Sequence, residues 1–242
     1  MSFASNVREI FPLIAPSGEE MNQRTWSGVI ARSIEILKRD GPRGLWFRLL
    51  AKTLYRRMFL FDHVLREADV EVTSPPHASA DLLKLTEIQE YMRARPGNVT
   101  EILNRLNNGH MCFLVRYSNS IVHTCWVAIG TAHMGYLDCE IQMAPRVVYV
   151  YGSFTNHAYR NMNLATVRGV FMDRHLVKLG FHRAVAVIVP ENKAALRRAQ
   201  KGGYRKFGLI GFLAIGSWRR YFCRAKDEPG FKMINRTEEL RT

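Results

Sequence analysis

The stretch from Tyr159 to Thr166, "YRNMNLAT", puts an arginine, two asparagines and small residues where a buried strand feeds a helix. A helix that starts straight after a strand leaves its first backbone N–H groups unpaired and pointing outward. The macrodipole adds partial positive charge at the same end. Such a terminus binds phosphate without special side chains. Arg160 and Arg168 add formal charge, and Asn163 can take a positive φ at a smaller cost than most residues. Ala165 leaves room beside the backbone. The chemistry on offer is a phosphate cradle. Metal chemistry has less behind it: among eight histidines and four cysteines, only His123-Thr124-Cys125 approaches ligand spacing, and no metal site is expected.

The elements that must position the cradle follow from pattern. "RVVYVYGSF", Arg146 to Phe154, reads as a buried strand, and Leu164 to Leu179 as an amphipathic helix. His182 to Pro190 is a further strand closed by proline, Glu191 to Lys201 a helix, and Lys206 to Trp218 a strand and turn. Upstream, Asp81 to Met92 reads as a helix capped by Asp81, and Asn98 to Asn107 as a second with Asn98 and Glu101 as a capping box. Met111 to Tyr117 and Ser120 to Gly130 flank Ser118-Asn119, a hairpin signal. Tyr136 to Met143 reads as one more strand. Helices, antiparallel strands, then alternating strands and helices make an α/β protein of the α+β kind, a mixed sheet with helices on it.

Residues 1–75 follow a different grammar. Trp26 to Asp40 has helical spacing and ends at Gly41-Pro42. Gly44 to Glu67 reads as a second helix, with Arg48, Lys52 and Arg56 on one face and Trp46, Phe47, Leu50, Leu54, Phe61 and Leu65 on the rest. "VTSPPHASA", Val72 to Ala80, reads as a stiff linker. The division expected is a basic helical extension with its proline-rich linker over 1–75, and the mixed-sheet domain over 76–242.

The segment Tyr149 to Gly211 resembles the Gcn5-related N-acetyltransferases. Their cofactor motif, Arg/Gln-x-x-Gly-x-Gly/Ala between a strand and a helix, is matched by Arg160-Asn161-Met162-Asn163-Leu164-Ala165, with Tyr159 before it. Their later motif, Asn-x-x-Ala, a helix and Gly-Phe, is matched by Asn192-Lys193-Ala194-Ala195 and Gly203-Tyr204. The helices and hairpin from Asp81 onward fit the same pattern, and residues 1–75 lie outside it.

The resemblance implies acyl transfer from acetyl-CoA or another acyl-CoA to an amine. It implies that the amides of Asn161, Met162, Asn163, Leu164, Ala165 and Thr166 hold the pyrophosphate, with Arg160 beside them. Phe154 and Thr155 would bind the pantetheine arm in a wedge between splayed strands, and Asn192 would face the cofactor. Two residues depart from the pattern. Asn163 stands for a glycine, and Ala199 stands where many members carry a tyrosine that protonates the leaving thiolate. Tyr204 is read as a packed aromatic.

An incoming ammonium also needs a base. Asp138 and Glu140 alternate with Leu137 and Cys139 on the expected third strand and would share one face, so either could serve; Tyr149 or Tyr151 could point into the cleft, with Tyr151 the candidate, and His157 could contact the cofactor or acceptor. The bland readings are a solvated strand face for the two acids, core packing for Tyr149 and Tyr151, and a surface loop for His157.

The formal charge of +14 attracts polyanions. No nucleic-acid-binding signature accompanies it, so nucleic acid is not an expected partner. An amine acceptor that is anionic or membrane-held, such as an amino sugar, suits the charge. The alternatives are a long-chain N-acyl amino acid synthase fed by an acyl carrier protein, a non-catalytic coenzyme A-binding module, and a membrane-peripheral protein. Residues 26–67 would provide the carrier or membrane contact, and a homodimer is also open. The apolar run Phe207 to Trp218 is shorter than the about 20 residues that span a bilayer. The start "MSFASNVREIFPLIAPSGEE" lacks a signal-peptide pattern. Cys112, Cys125, Cys139 and Cys223 contain no C-x-x-C pair. The expected location is cytoplasmic, with membrane-peripheral attachment as an option.

Overall fold

The computed structural model describes residues 55–67, 75–215 and 218–234. The expected helix at Trp26–Asp40, residues 44–54 of the second expected helix, and the start of the linker lie outside the described residues.

A large mixed sheet dominates. Its strands in chain order are β1 (Tyr55–Val64), β2 (Ala78–Leu82), β3 (Met111–Tyr117), β4 (Ser120–Ala128), β7 (Val147–Thr155), β8 (Arg183–Ile188), β9 (Arg205–Ile215) and β10 (Trp218–Ala225). Across the sheet they run β10-β9-β1-β8-β7-β4-β3-β2. A small sheet, β11-β6-β5, is formed by β5 (Thr131–Met134), β6 (Cys139–Met143) and β11 (Phe231–Ile234). The helices are α1 (Ile88–Ala94), α2 (Val99–Asn107), α3 (Leu164–Lys178) and α4 (Lys193–Lys201). Among the described residues, no helix is long and apolar enough to cross a membrane.

Local chemistry explains several joins. Ser118 and Asn119 both take positive φ, 47° and 66°, as a two-residue hairpin turn between β3 and β4 requires. Asn98 caps α2 by accepting from the Thr100 N–H at 2.9 Å. Glu101 does not complete the expected capping box; its carboxylate pairs with Arg105 one turn on.

Three expectations are overturned. Residues Tyr55–Val64, expected in a basic amphipathic helix, form β1 inside the sheet, antiparallel to both β8 and β9. The run "MFLF" has no helical period of its own, and two open strand edges satisfy its backbone better than a lone helix surface would. Met58 and Leu60 face the main core, and Asp62, 6% exposed, meets Arg183 and Arg205. The sheet therefore crosses the boundary expected at 75/76, and the surface-helix basis for membrane or carrier contact is gone from residues 55–67. Asp81 lies in β2 and caps no helix; its carboxylate accepts from the Leu82 N–H at 2.7 Å. The single strand expected over Tyr136–Met143 begins only at Cys139, because Gly135 to Asp138 form the turn that joins β5 to β6.

The core has several parts. Residues on the inner face of the small sheet (Met134, Cys139, Ile141, Met143) pack on one face of the large sheet with Leu60, Tyr149, Val185 and Phe207. α1 and α2 cover Trp126 and Leu114 beside them, with the Trp126 Nε1–H donating to the Tyr91 hydroxyl at 3.0 Å. α3 covers the opposite face through Met172 and Leu176 on Phe113, Val127 and Val148.

Candidate active site

β7 and β8 run parallel and pair from Val147↔Arg183 to Val150↔Ala186. There the pairing ends, although β7 continues to Thr155. β8 stays paired with β1 on its other edge from Arg183 to Ile188, while its pairing with β7 stops at Ala186. The strands therefore splay, leaving one edge of Tyr151–Thr155 open over roughly 17 Å at about 3.3 Å per residue.

A bulge holds that half of β7. Opposite β4, Trp126 pairs with Tyr151 and Thr124 with Phe154, so Gly152 and Ser153 face the single residue Cys125. Gly152 has φ 59°, and a Cβ there would sit 3.3 Å from the Trp126 ring. Arg95 fixes the bulge by donating from Nη1 to the Gly152 carbonyl at 2.6 Å while lying over the Phe154 ring.

The open edge leads into the predicted cradle. Asn156 caps a short turn at His157–Tyr159 by accepting from the Ala158 N–H. Asn161 and Asn163 then take positive φ, 69° and 56°, and α3 begins at Leu164. Asn163 thus adopts the left-handed conformation expected for a residue in a glycine's place. Its carbonyl accepts from the N–H groups of Thr166 and Val167, and its Oδ1 accepts from the Thr166 hydroxyl at 2.6 Å. The N–H groups of Asn161, Met162, Asn163, Leu164 and Ala165 make no hydrogen bond among the described residues. The side chains of Leu164 and Met162 pack down onto Val115 and Val122, which anchors the turn and turns its backbone outward. Arg160 is exposed at the rim.

Arg168 is not at that rim. It is buried between α3 and the sheet, near Cys125 and Tyr204. Asn192 stands at the start of α4 and spends its side-chain oxygen on the Ala195 N–H at 3.1 Å, an N-cap. Thr155 offers its hydroxyl to His123 Nδ1 at 2.8 Å.

Neither acid expected as a base reaches the splay. Asp138 lies in the β5–β6 turn with φ 50°, exposed and paired with Arg219 at 3.0 Å. On β6, Cys139, Ile141 and Met143 face the core, so strand alternation turns Glu140 to the outer face of the small sheet, opposite His133. Splitting the expected strand at Asp138 undid the shared face. His157 is exposed and Tyr149 is a core residue, as their bland readings had it.

Tyr151 is well placed. It is the first β7 residue past the last β7–β8 pair, and its ring stacks on Tyr149 at 5.3 Å. Its hydroxyl meets His110 Nδ1 at 2.7 Å, and His110 Nε2 faces the Thr131 carbonyl at 3.3 Å. Arg105 lies over both the Tyr151 and Trp126 rings. Burial lowers the His110 pKa; the Thr131 carbonyl opposes this and Arg105 adds to it. Burial likewise raises that of Tyr151. At neutral pH His110 is an uncharged acceptor for the Tyr151 hydroxyl. His110 carries no sequence signal: it is a lone histidine after a helix-ending glycine in "NNGH". Arg95 and Gly152 were equally silent.

No family model matches the chain, and no curated protein matches it. Solved structures do. A GCN5-related N-acetyltransferase from Kribbella flavida is similar with 16% identity over 71% of this chain and 64% of its own, at a TM-score of 0.47. One from Sphaerobacter thermophilus shows 14% identity over 76% of this chain and 58% of its own, at 0.48. An aminoglycoside acetyltransferase, AAC(6')-Iy in complex with a bisubstrate analog, shows 13% identity over 54% of this chain and 92% of its own, at 0.43. The chain thus spans less than two thirds of the length of the first two.

Proposed function

We propose that this chain is an acyl-CoA-dependent N-acyltransferase of the Gcn5-related kind, moving an acyl group to a small-molecule amine. One observation carries the reading. A helix N-terminus with five amides that have no partner among the described residues opens directly onto a strand edge that has parted from its neighbour. Amides and dipole suit a pyrophosphate, and an open strand edge suits the amides of an extended arm. The residues present fit such a ligand: Asn161 and Asn163 supply the left-handed turns, Ala165 leaves the approach clear, and Arg160 adds charge. When bound, an acyl-CoA supplies the acyl group as a thioester.

The two faces of the sheet divide the work. α3 and the cradle flank the cofactor side of the splay. Tyr151 and His110, on the face shared with α1 and α2, flank the acceptor side. An amine reaches the enzyme as an ammonium ion and must lose a proton before it attacks. Tyr151 Oη takes that proton as its own passes to His110 Nδ1, whose tautomer the Thr131 carbonyl sets by accepting from Nε2–H. In this reading Tyr151, expected only to point into the cleft, relays the proton, and His110 takes the place of Asp138 and Glu140 as the base. The +14 charge favours an anionic acceptor such as a phosphorylated or acidic amino compound.

Incubation with acetyl-CoA and a panel of amines, read as thiol release, tests the reading. Acceptor-dependent thiol release supports it. Tight acetyl-CoA binding with no release from any amine would instead favour a non-catalytic coenzyme A-binding module.

A further inference from the structure

On the α3 side of the sheet lies a group of polar side chains that the proton path above does not use. Arg168 is 8% exposed, and among the described residues no carboxylate hydrogen-bonds to it. Its Nη1 donates to the Met172 sulfur at 3.1 Å, a weak acceptor. Its Nε is sealed from solvent and has no partner among the described residues, and the same holds for His123 Nε2 and the Tyr204 hydroxyl. The Tyr204 hydroxyl stands beside the Arg168 guanidinium, off hydrogen-bond geometry. The ring of Tyr204 is stacked on His63 at 4.8 Å, and His63 is held by Asp173 at 2.6 Å. Asp173 acts on Arg168 through its charge, but its carboxylate is engaged by His63. A buried guanidinium without a bonded counter-charge is costly, as is a buried donor without an acceptor. Despite burial, Cys125, Tyr204 and Asp173 keep the guanidinium charged, and its sealed Nε still lacks an acceptor, which a negatively charged atom would supply.

Its location says which atom. Cys125 neighbours both Arg168 and Tyr204, and its Sγ lies 3.7 Å from the Tyr151 carbonyl oxygen. Tyr151 marks the closed end of the splay, so the group sits where an arm entering from the cradle would end. We infer that Arg168 is the counter-charge, and Tyr204 the hydrogen-bond donor, for the thiolate that leaves on acyl transfer. This rests on the acyltransferase reading. As the C–N bond forms, the C–S bond breaks and its electron pair goes to sulfur. The ammonium's first proton has gone through Tyr151 to His110, and the second, still on nitrogen when the C–N bond forms, passes to water as the amide is completed. The thiolate leaves against Arg168 and is protonated by solvent as coenzyme A departs, so no side-chain acid is consumed. Burial raises the Tyr204 pKa, an effect Arg168 opposes, which keeps Tyr204 a donor and not a base. Burial, with Arg168 and Arg198, lowers that of His123 to about 3, so no second cation competes there. Ala199, which offers α4 no donor, then needs no substitute.

Coenzyme A itself is the probe. The thiolate's ultraviolet absorbance is titrated against pH for coenzyme A bound to wild type, Arg168→Met and Tyr204→Phe. The wild-type complex is expected to hold the thiol pKa about one unit or more below that of unbound coenzyme A, as a neighbouring guanidinium does for other thiols. Each variant returns it towards the unbound value. Tyr204→Phe keeps the ring on His63, so it decides even if Arg168→Met folds poorly. An unshifted thiol in the wild-type complex, as a chamber that merely holds water would give, overturns the inference while leaving the acyltransferase reading intact. So does a shift that both variants retain. If coenzyme A binds none of the three proteins, the acyltransferase reading falls and takes this inference with it.

Discussion

His110 Nδ1 lies 2.7 Å from the Tyr151 hydroxyl, with Nε2 turned to the Thr131 carbonyl, so the backbone fixes which ring nitrogen is the acceptor. Removing the hydroxyl should break the proton path without touching the cradle. Tyr151→Phe is expected to lower kcat about 100-fold, with acetyl-CoA affinity unchanged by calorimetry. An unchanged kcat would remove Tyr151 from the mechanism.

The same pair predicts a pH dependence. Burial, with Arg105, holds the His110 pKa below the ordinary 6.5. The base works only when neutral, so activity persists above that lowered pKa and is lost as pH falls through it. The acid limb of kcat/KM is therefore expected below 6.5. The linked stability has the same sign: it is fully present above 6.5 and declines as the pH drops through the folded value. His110→Gln, which cannot take the proton, should abolish the limb. A limb that survives this substitution would assign the base elsewhere.

The splay depends on the Gly152 bulge, and Arg95 donates to the Gly152 carbonyl at 2.6 Å. Arg95→Ala is expected to cost about 2 kcal/mol, the range for a hydrogen bond to a charged group. It should also weaken acetyl-CoA binding, because the open half of β7 loses its brace. Denaturant titration and calorimetry check the two effects, and loss of stability without loss of affinity would detach the bulge from the site.

Leu60 is fully buried on β1, in the middle of the large sheet. Leu60→Ala is expected to destabilise the protein by about 3 kcal/mol, the cost of a core cavity. A loss under about 0.5 kcal/mol, as for a surface substitution, would restore the peripheral-helix reading of Tyr55–Val64.

What was legible in the sequence was local. Ser118-Asn119, the Asn98 cap and the left-handed Asn163 each depend on a few adjacent residues, and all three are found. What was illegible depends on distant partners. Tyr55–Val64 is a strand because β8 and β9 offer it two edges, which no window on "RRMFLFDHV" reveals. Glu140 turns away because Gly135–Asp138 is a turn, a one-element shift that moved its face. His110 meets Tyr151 across 41 positions of chain, and neither residue's neighbours announce the other.

The central claim is that the turn from Asn161 to Ala165 and the splayed edge of β7 bind an acyl-CoA. Calorimetric titration of acetyl-CoA into wild type and Ala165→Glu tests it most directly. The carboxylate would meet the pyrophosphate at the unpartnered amides, opposing it by charge and bulk. The account predicts saturable binding to wild type and at least a tenfold loss, about 1.4 kcal/mol, in the folded variant. Equal affinity in the two proteins, or no binding to wild type, would contradict it.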